Sequence, residues 1–196
     1  MTRRLPGALV GALVGVGVLV SLPACSSGTS SPDKGGAAVV STGFNDADVL
    51  FAQSMIPHHE QAIEMADLAL DPASGASAAV RELAARVKAA QDPENAALRA
   101  WLKARGKSET MDMAGHDMAA MDGMLTAAEM KALDDATGPA FDRAFYEQLI
   151  RHHEGAVAMA QVVRDEGVDP QIAAIADSVI AGQSAELAEM TKALGR

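Results

Sequence analysis

The chain has 196 residues, enough for one domain with a sizeable core plus an extension. Its 26 acidic against 16 basic residues give a formal net charge of −10, which argues against a nucleic-acid partner, because phosphate binding needs a basic face. A single Cys excludes an intramolecular disulfide and any cysteine-cluster metal site, and an alanine-rich composition with few aromatic or β-branched runs argues against a sandwich or barrel.

Residues 1–24 read as an export signal. Arg3 and Arg4 give a positive start, and the apolar run Leu5 to Val20 is short for a membrane span, which needs roughly 20 residues. The run ends in Leu22-Pro23-Ala24-Cys25, which resembles a bacterial lipoprotein signal and makes Cys25 the expected lipidation site. The plain alternative is an ordinary secreted protein with an incidental Cys. Loss of Arg3 and Arg4 on cleavage takes the formal charge from −10 to −12. Residues 25–45 form a Ser- and Gly-rich tether, with a reach on the order of 25 Å for its flexible part.

Residues 46–196 are helix-patterned, and the pattern is written twice. Asp48, Phe51, Ile56, His58, His59, Glu60, Ala62, Met65 and Ala66 recur 94 residues later as Asp142, Phe145, Ile150, His152, His153, Glu154, Ala156, Met159 and Ala160. Downstream the offset is 92: Val87 aligns with Val179, Gln91 with Gln183, Glu94 with Glu186, and Leu102 with Leu194. Asp71-Pro72 ends the first helix and Gly106 the second. Thr126-Ala-Ala-Glu129 is a capping box that opens a short extra helix to about Ala136. Gly138-Pro139 opens the third long helix, and Asp169-Pro170 opens the fourth. Pro57 is expected to kink the first helix, and Pro93 either kinks or restarts the second. The predicted fold is all-α, a four-helix bundle of two repeated hairpins joined by a long Met-rich connection.

The His pairs are the first chemical candidates. His58 and Met65 lie within about 20° of each other on a helical wheel, and Met55 sits one turn before the pair. His152 and Met159 repeat the spacing, with Leu149 in the place of Met55. Imidazole suits copper, zinc, iron and nickel, and thioether narrows the choice toward Cu(I) and its soft relatives. Against this, a helical His is often a surface or satisfied core residue, and adjacent His side chains diverge by about 100°. Glu60, Glu64 and Glu154 fit solvated faces, with Glu60 and Glu154 the alternative partners for imidazole N–H groups.

The connection is the second candidate. Met111, Met113, His116, Met118, Met121 and Met124 fall within fourteen residues, among Asp and Gly. Core methionine comes with Leu, Ile and Val, and only Leu125 adjoins this run. The readings are a soft-metal site, which is preferred, an apolar docking surface, or a sacrificial oxidation site. Met130 and Met190 fall at helical spacing with leucines and read as core. No zinc-protease helix, Glu-x-x-His pair, nucleophile elbow or P-loop is present, so catalysis has little support.

The run Phe51-Ala-Gln-x-Met55-Ile56-Pro57-His58-His59-Glu60-Gln61-Ala62-Ile63-Glu64-Met65-Ala66 resembles the first signature helix of the DUF family numbered 305. Phe141-Asp142-Arg143-x-Phe145, continuing to Ile150-x-His152-His153-Glu154-Gly155-Ala156, resembles its second. The resemblance spans about Ala47 to Leu194 and implies a ferritin-like bundle, usually exported. It includes the CopM-like proteins that bind copper and silver, whose His and Met ligand types match Met55, His58, His59, Met65, His152, His153 and Met159. Leu149 and Asn95 depart from the pattern.

The resulting expectation is a lipid-anchored protein on the outer face of the cell membrane. It binds Cu(I), or Ag(I) as its mimic, with Cu(II) also admitted, for sequestration, resistance or hand-off to a transfer partner. The rivals are a scaffold lipoprotein that docks a partner through the Met-rich loop, and a copper oxidase. Metal binding is expected to weaken as imidazoles protonate near pH 6.5.

Overall fold

The computed structural model describes residues 43–111 and 122–196. The export signal, Cys25, nearly all of the tether, and Met113, His116, Met118 and Met121 lie outside the described residues. Helix α1 spans Asp46–Leu70, α2 Ala78–Ala104, α3 Ala127–Asp134, α4 Pro139–Glu166 and α5 Pro170–Ala193, with a 3-10 turn at Pro72–Ser74. Every element among the described residues is helical, as the patterning predicts. None of these helices is long and apolar enough to cross a membrane.

The helix starts follow local chemistry. Asn45 and Asp48 form a reciprocal capping box on α1, each side chain accepting from the other's backbone N–H at 3.1 and 2.9 Å. Ser77 caps α2, and Thr126 with Glu129 closes the expected box on α3. Asp169 caps α5 with Pro170 in the first turn, as expected. Both interior prolines are carried without a break: α1 runs through Pro57, and α2 runs through Pro93 and does not restart. Helix α3 ends at Asp134, two residues before the expected Ala136.

Helix α1 packs along α2, and α4 along α5; the two hairpins meet through α1 and α4, while α2 and α5 touch over a short stretch. Helices α1 and α4 run antiparallel, because Asn45 Nδ2 at the start of α1 donates to the Glu166 carbonyl at the end of α4, at 2.7 Å. The interior divides into two apolar clusters. One gathers Ala62, Met65 and Ala69 of α1 with Phe141, Phe145 and Leu149 of α4, and includes Leu83 and Met190. The other gathers Phe51, Met55 and Ile56 with Ala156, Ala160 and Val163, and includes Leu98 and Trp101. Each fully buried large side chain contributes roughly 1.5–3 kcal/mol. Residues 57–61 of α1 and 151–155 of α4 fall between the clusters, so the hydrophobic pattern leaves a gap at the middle of the bundle.

The repeated Asp residues tie each hairpin to the other. Asp48 is fully buried, and its carboxylate accepts from the N–H groups of Val168 and Asp169 at 3.2 Å, in the turn between α4 and α5. Its repeat partner Asp142 accepts from Ser77 N–H at 3.0 Å, in the turn between α1 and α2. Replacing Asp48 with Ala strands these buried donors. The expected loss is about 3 kcal/mol, read from urea unfolding followed by fluorescence of the buried Trp101; a loss below about 1 kcal/mol would remove Asp48 from this role.

Candidate metal centre

The gap between the clusters is filled by four imidazoles. His58, His59, His152 and His153 are all fully buried. The rings of His58 and His152 lie against each other across the α1–α4 interface, their centroids 3.8 Å apart and their planes tilted by 42°. His152 and His153 have centroids 6.4 Å apart. The divergence of adjacent helical side chains is resolved by division of labour. The first His of each pair points to the pseudo-twofold centre, and the second turns to the neighbouring helix of its own hairpin. There His59 Nε2 meets Glu94 at 2.9 Å and His153 Nε2 meets Glu186 at 2.7 Å. Glu60 and Glu154 are exposed, as the solvated-face reading expects, with Glu60 paired to Arg99, and the alternative pairing with imidazole is not formed. The imidazole partners therefore come from α2 and α5.

His58 Nε2 donates to the Asp122 carbonyl at 3.3 Å. A carbonyl oxygen only accepts, so this bond fixes the proton on Nε2 and leaves a lone pair on Nδ1. Five buried ring nitrogens find no partner among the described groups: Nδ1 of all four His and Nε2 of His152. Burial, reinforced by His59, lowers the His58 pKa to about 3. Burial, followed by the neighbouring His58, holds His152 well below the usual imidazole range. Among the described residues no three His, Cys, Asp or Glu side chains are grouped to hold an ion. Pairs of imidazoles are brought together, and a larger ligand set has to draw on sulfur.

The three repeat methionines beside the His pairs are distributed unequally about this layer. Met55 and Met159 belong to the Phe51–Trp101 cluster, whereas Met65 lies in the opposite cluster with Leu149. Met111 is on the Met55 side: the Ser54 hydroxyl donates to its Sδ at 3.5 Å. Met124 is half-buried where the connection returns, and Met130 and Met190 pack in the Phe141–Leu149 cluster, as expected of core residues.

The returning connection is seated directly over the His layer. Gln61, one turn after His58, grips Leu125 at both ends, its Nε2 donating to the carbonyl at 2.9 Å and its Oε1 accepting the N–H at 2.7 Å. On α4 the equivalent position is Gly155, where a Cβ would come within 1.9 Å of the Asp122 carbonyl oxygen. Gly123 adopts φ +86° at the same crossing, close to the backbone of Arg151 and His152. Sequence reading missed Glu94, Glu186, Asp122, Gly155 and the buried Gln91, Asn95 and Gln183. Its one usable signal was the recurrence of Gln and Glu at matching registers of α2 and α5.

Comparison with known proteins gives a family and a set of solved structures. Residues 48–194 match the family described as Domain of unknown function (DUF305). A DUF305 fragment from Deinococcus radiodurans is 30% identical with a TM-score of 0.69, covering 78% of this chain and 97% of its own. A putative secreted DUF305 protein from Streptomyces coelicolor is 28% identical with a TM-score of 0.69, covering 76% and 91%. CopM in its Cu(I)-bound form is 30% identical with a TM-score of 0.61, covering 74% and 93%; the same protein is also solved with Cu(II) and with Ag. No functionally curated protein matches the chain.

Two outcomes follow from this geometry. In the unfolded chain imidazoles protonate near pH 6.5, whereas folded His58 resists down to about 3. Stability is therefore intact above pH 6.5 and falls on acidification toward pH 3, by about 1.4 kcal/mol per pH unit for each such imidazole. His152→Leu should make that slope shallower without destabilising the metal-free protein at pH 7, as measured by urea unfolding at a series of pH values; an unchanged slope counts against the buried-imidazole account. Separately, Gly155→Ala must displace the Asp122–Gly123 turn, at a cost of about 2 kcal/mol. Gly182→Ala, whose Cβ meets nothing within 4 Å, should be neutral or stabilising when both variants are compared by thermal melts.

Proposed function

The chain belongs to the DUF305 family, and from that premise we propose that it binds a soft metal ion, Cu(I) by preference with Ag(I) as its mimic, at the buried imidazole layer. The observation that carries this reading is the set of five buried ring nitrogens without partners. Each unsatisfied buried polar atom costs roughly 1–3 kcal/mol, and an apolar side chain of the same shape would avoid that cost. Retaining four imidazoles at the centre of the bundle makes physical sense where their lone pairs have a use. The donor set suits soft cations: imidazole nitrogen from His58 and His152, with the thioethers of Met55 and Met159 on one side of the layer. Solved CopM structures with Cu(I), Cu(II) and Ag support the assignment by similarity.

The role we infer is sequestration or hand-off, without turnover. The side chains of the layer offer ligands and no activated nucleophile. Met111 leads from the layer into the Met-rich connection and Asp122 leads back over it, so that segment adjoins the site at both ends. Lipidation at Cys25 would hold the domain on the outer face of the membrane, where soft ions and a transfer partner are met. His59 and His153 serve as positioned ligands or supports, each fixed by its glutamate.

Titration of the purified protein with Ag(I) by calorimetry at pH 7.5 tests the proposal. Saturable binding is expected, and His58→Leu with His152→Leu should weaken it by about tenfold or more. Replacement of Met111, Met113, Met118, Met121 and Met124 by Leu should remove any further sites in the connection. The low pKa of His58 also revises the expected pH profile: this imidazole is already neutral at pH 5.5, with Nδ1 free of a proton, so binding there persists below the ordinary midpoint. Absence of binding at pH 7.5 overturns the reading.

A further inference from the structure

A second polar space lies on the other side of the His–Glu pairs. A cavity of about 60 Å³ between α2 and α5 is lined by Gln91, Glu94, Ser178, Gln183 and Glu186, beside Gly182. Gln91 and Gln183 are 2% and 4% exposed, and neither amide has a partner for its oxygen or its nitrogen. A fully desolvated carboxamide left unpaired at both ends is costly, and here the same cost is repeated at matching positions of two helices. Glu94 and Glu186 each give one oxygen to an imidazole, and Glu94 Oε1 also accepts from Ser178 Oγ at 2.7 Å. Among the described residues no Lys or Arg pairs with either carboxylate. Two acids thus face one small space with two unpaired amides and no cationic side chain.

The donor chemistry of this space differs from that of the His layer. Carboxylate, carboxamide and hydroxyl groups present oxygen, with no thioether and no free imidazole among the lining residues. Hard cations take such ligands, and Ca²⁺ accepts six to eight oxygens in loose geometry, whereas Mg²⁺ keeps most of its water. The volume, set against roughly 30 Å³ for one water, accommodates an ion with about one water. We propose that the α2–α5 cavity is a binding site for a calcium ion, held by the Glu94 and Glu186 carboxylates and the Gln91 and Gln183 amide oxygens. The site is chemically separate from the soft-metal layer and abuts it through shared carboxylates.

Calorimetric titration of the chelator-treated full protein with Ca²⁺ tests this. Saturable one-to-one binding is expected, with Mg²⁺ weaker. Gln91→Leu with Gln183→Leu removes two neutral oxygen ligands and should weaken Ca²⁺ by about tenfold or more while leaving Ag(I) titration unchanged. Circular dichroism melts should show this variant folded. If it does not fold, Glu186→Gln keeps an acceptor for His153 while removing charge, and should weaken Ca²⁺ likewise. No saturable binding at millimolar Ca²⁺ overturns the proposal, the cavity then holding water alone. So does binding that survives these substitutions unchanged, which would place the ion on the acidic surface. Ca²⁺ and Ag(I) are titrated separately, so failure of one leaves the other standing.

Discussion

His59 donating to Glu94 and His153 donating to Glu186 are the bonds on which the middle of this protein depends. Each crosses from one helix to the next within a hairpin and occupies the gap where both apolar clusters stop. Because the carboxylates claim Nε2, the second imidazole of each pair is turned away from the pseudo-twofold centre. That leaves the first imidazoles, His58 and His152, to meet there. The arrangement is poor for stability on its own terms, since buried polar groups gain little over apolar packing. It holds four ring systems in one place, out of solvent.

The internal repeat is broken where the returning connection crosses the bundle. Gln61 and Gly155 are equivalent positions, yet one grips the returning connection and the other makes room for it. Met55 and Leu149 are likewise equivalent, and this exchange puts two of the three repeat methionines, Met55 and Met159, on one side of the imidazole layer and Met65 on the other. A twofold scaffold thereby acquires two unequal sides. The Asp48 and Asp142 contacts keep the symmetry, because their task of bridging the hairpins is the same at both ends.

Much of this was legible in the residues. Caps, breakers and the repeat placed the four long helices and the short one, because Thr126, Asp169, Pro139 and Pro170 act through local backbone chemistry. The His pairs were found because they recur. Glu60 and Glu154 lie on solvated faces as the pattern predicts, but the true glutamate partners, Glu94 and Glu186, were not found, since helical spacing reveals neighbours on one helix and says nothing of the next. Pro93 was ambiguous because continuation of a helix through proline depends on its packing, here supplied by buried Gln91, Asn95 and Leu98. Gly155 looked like an unremarkable small residue until the crossing of the connection gave its missing side chain a purpose.

The separation of contacts along the chain carries one more consequence. The glutamate bonds close over 35 and 33 residues, inside a hairpin, whereas the Asp122 bond to His58 closes over 64 and the His58–His152 stack joins the two hairpins. Loop closure favours nearer pairings, so each hairpin has the means to assemble its outer imidazole before the halves meet. The inner pair exists only once they have docked. An ion seated between His58 and His152 would act as a clasp on the last seam to form, and its release would loosen that seam first.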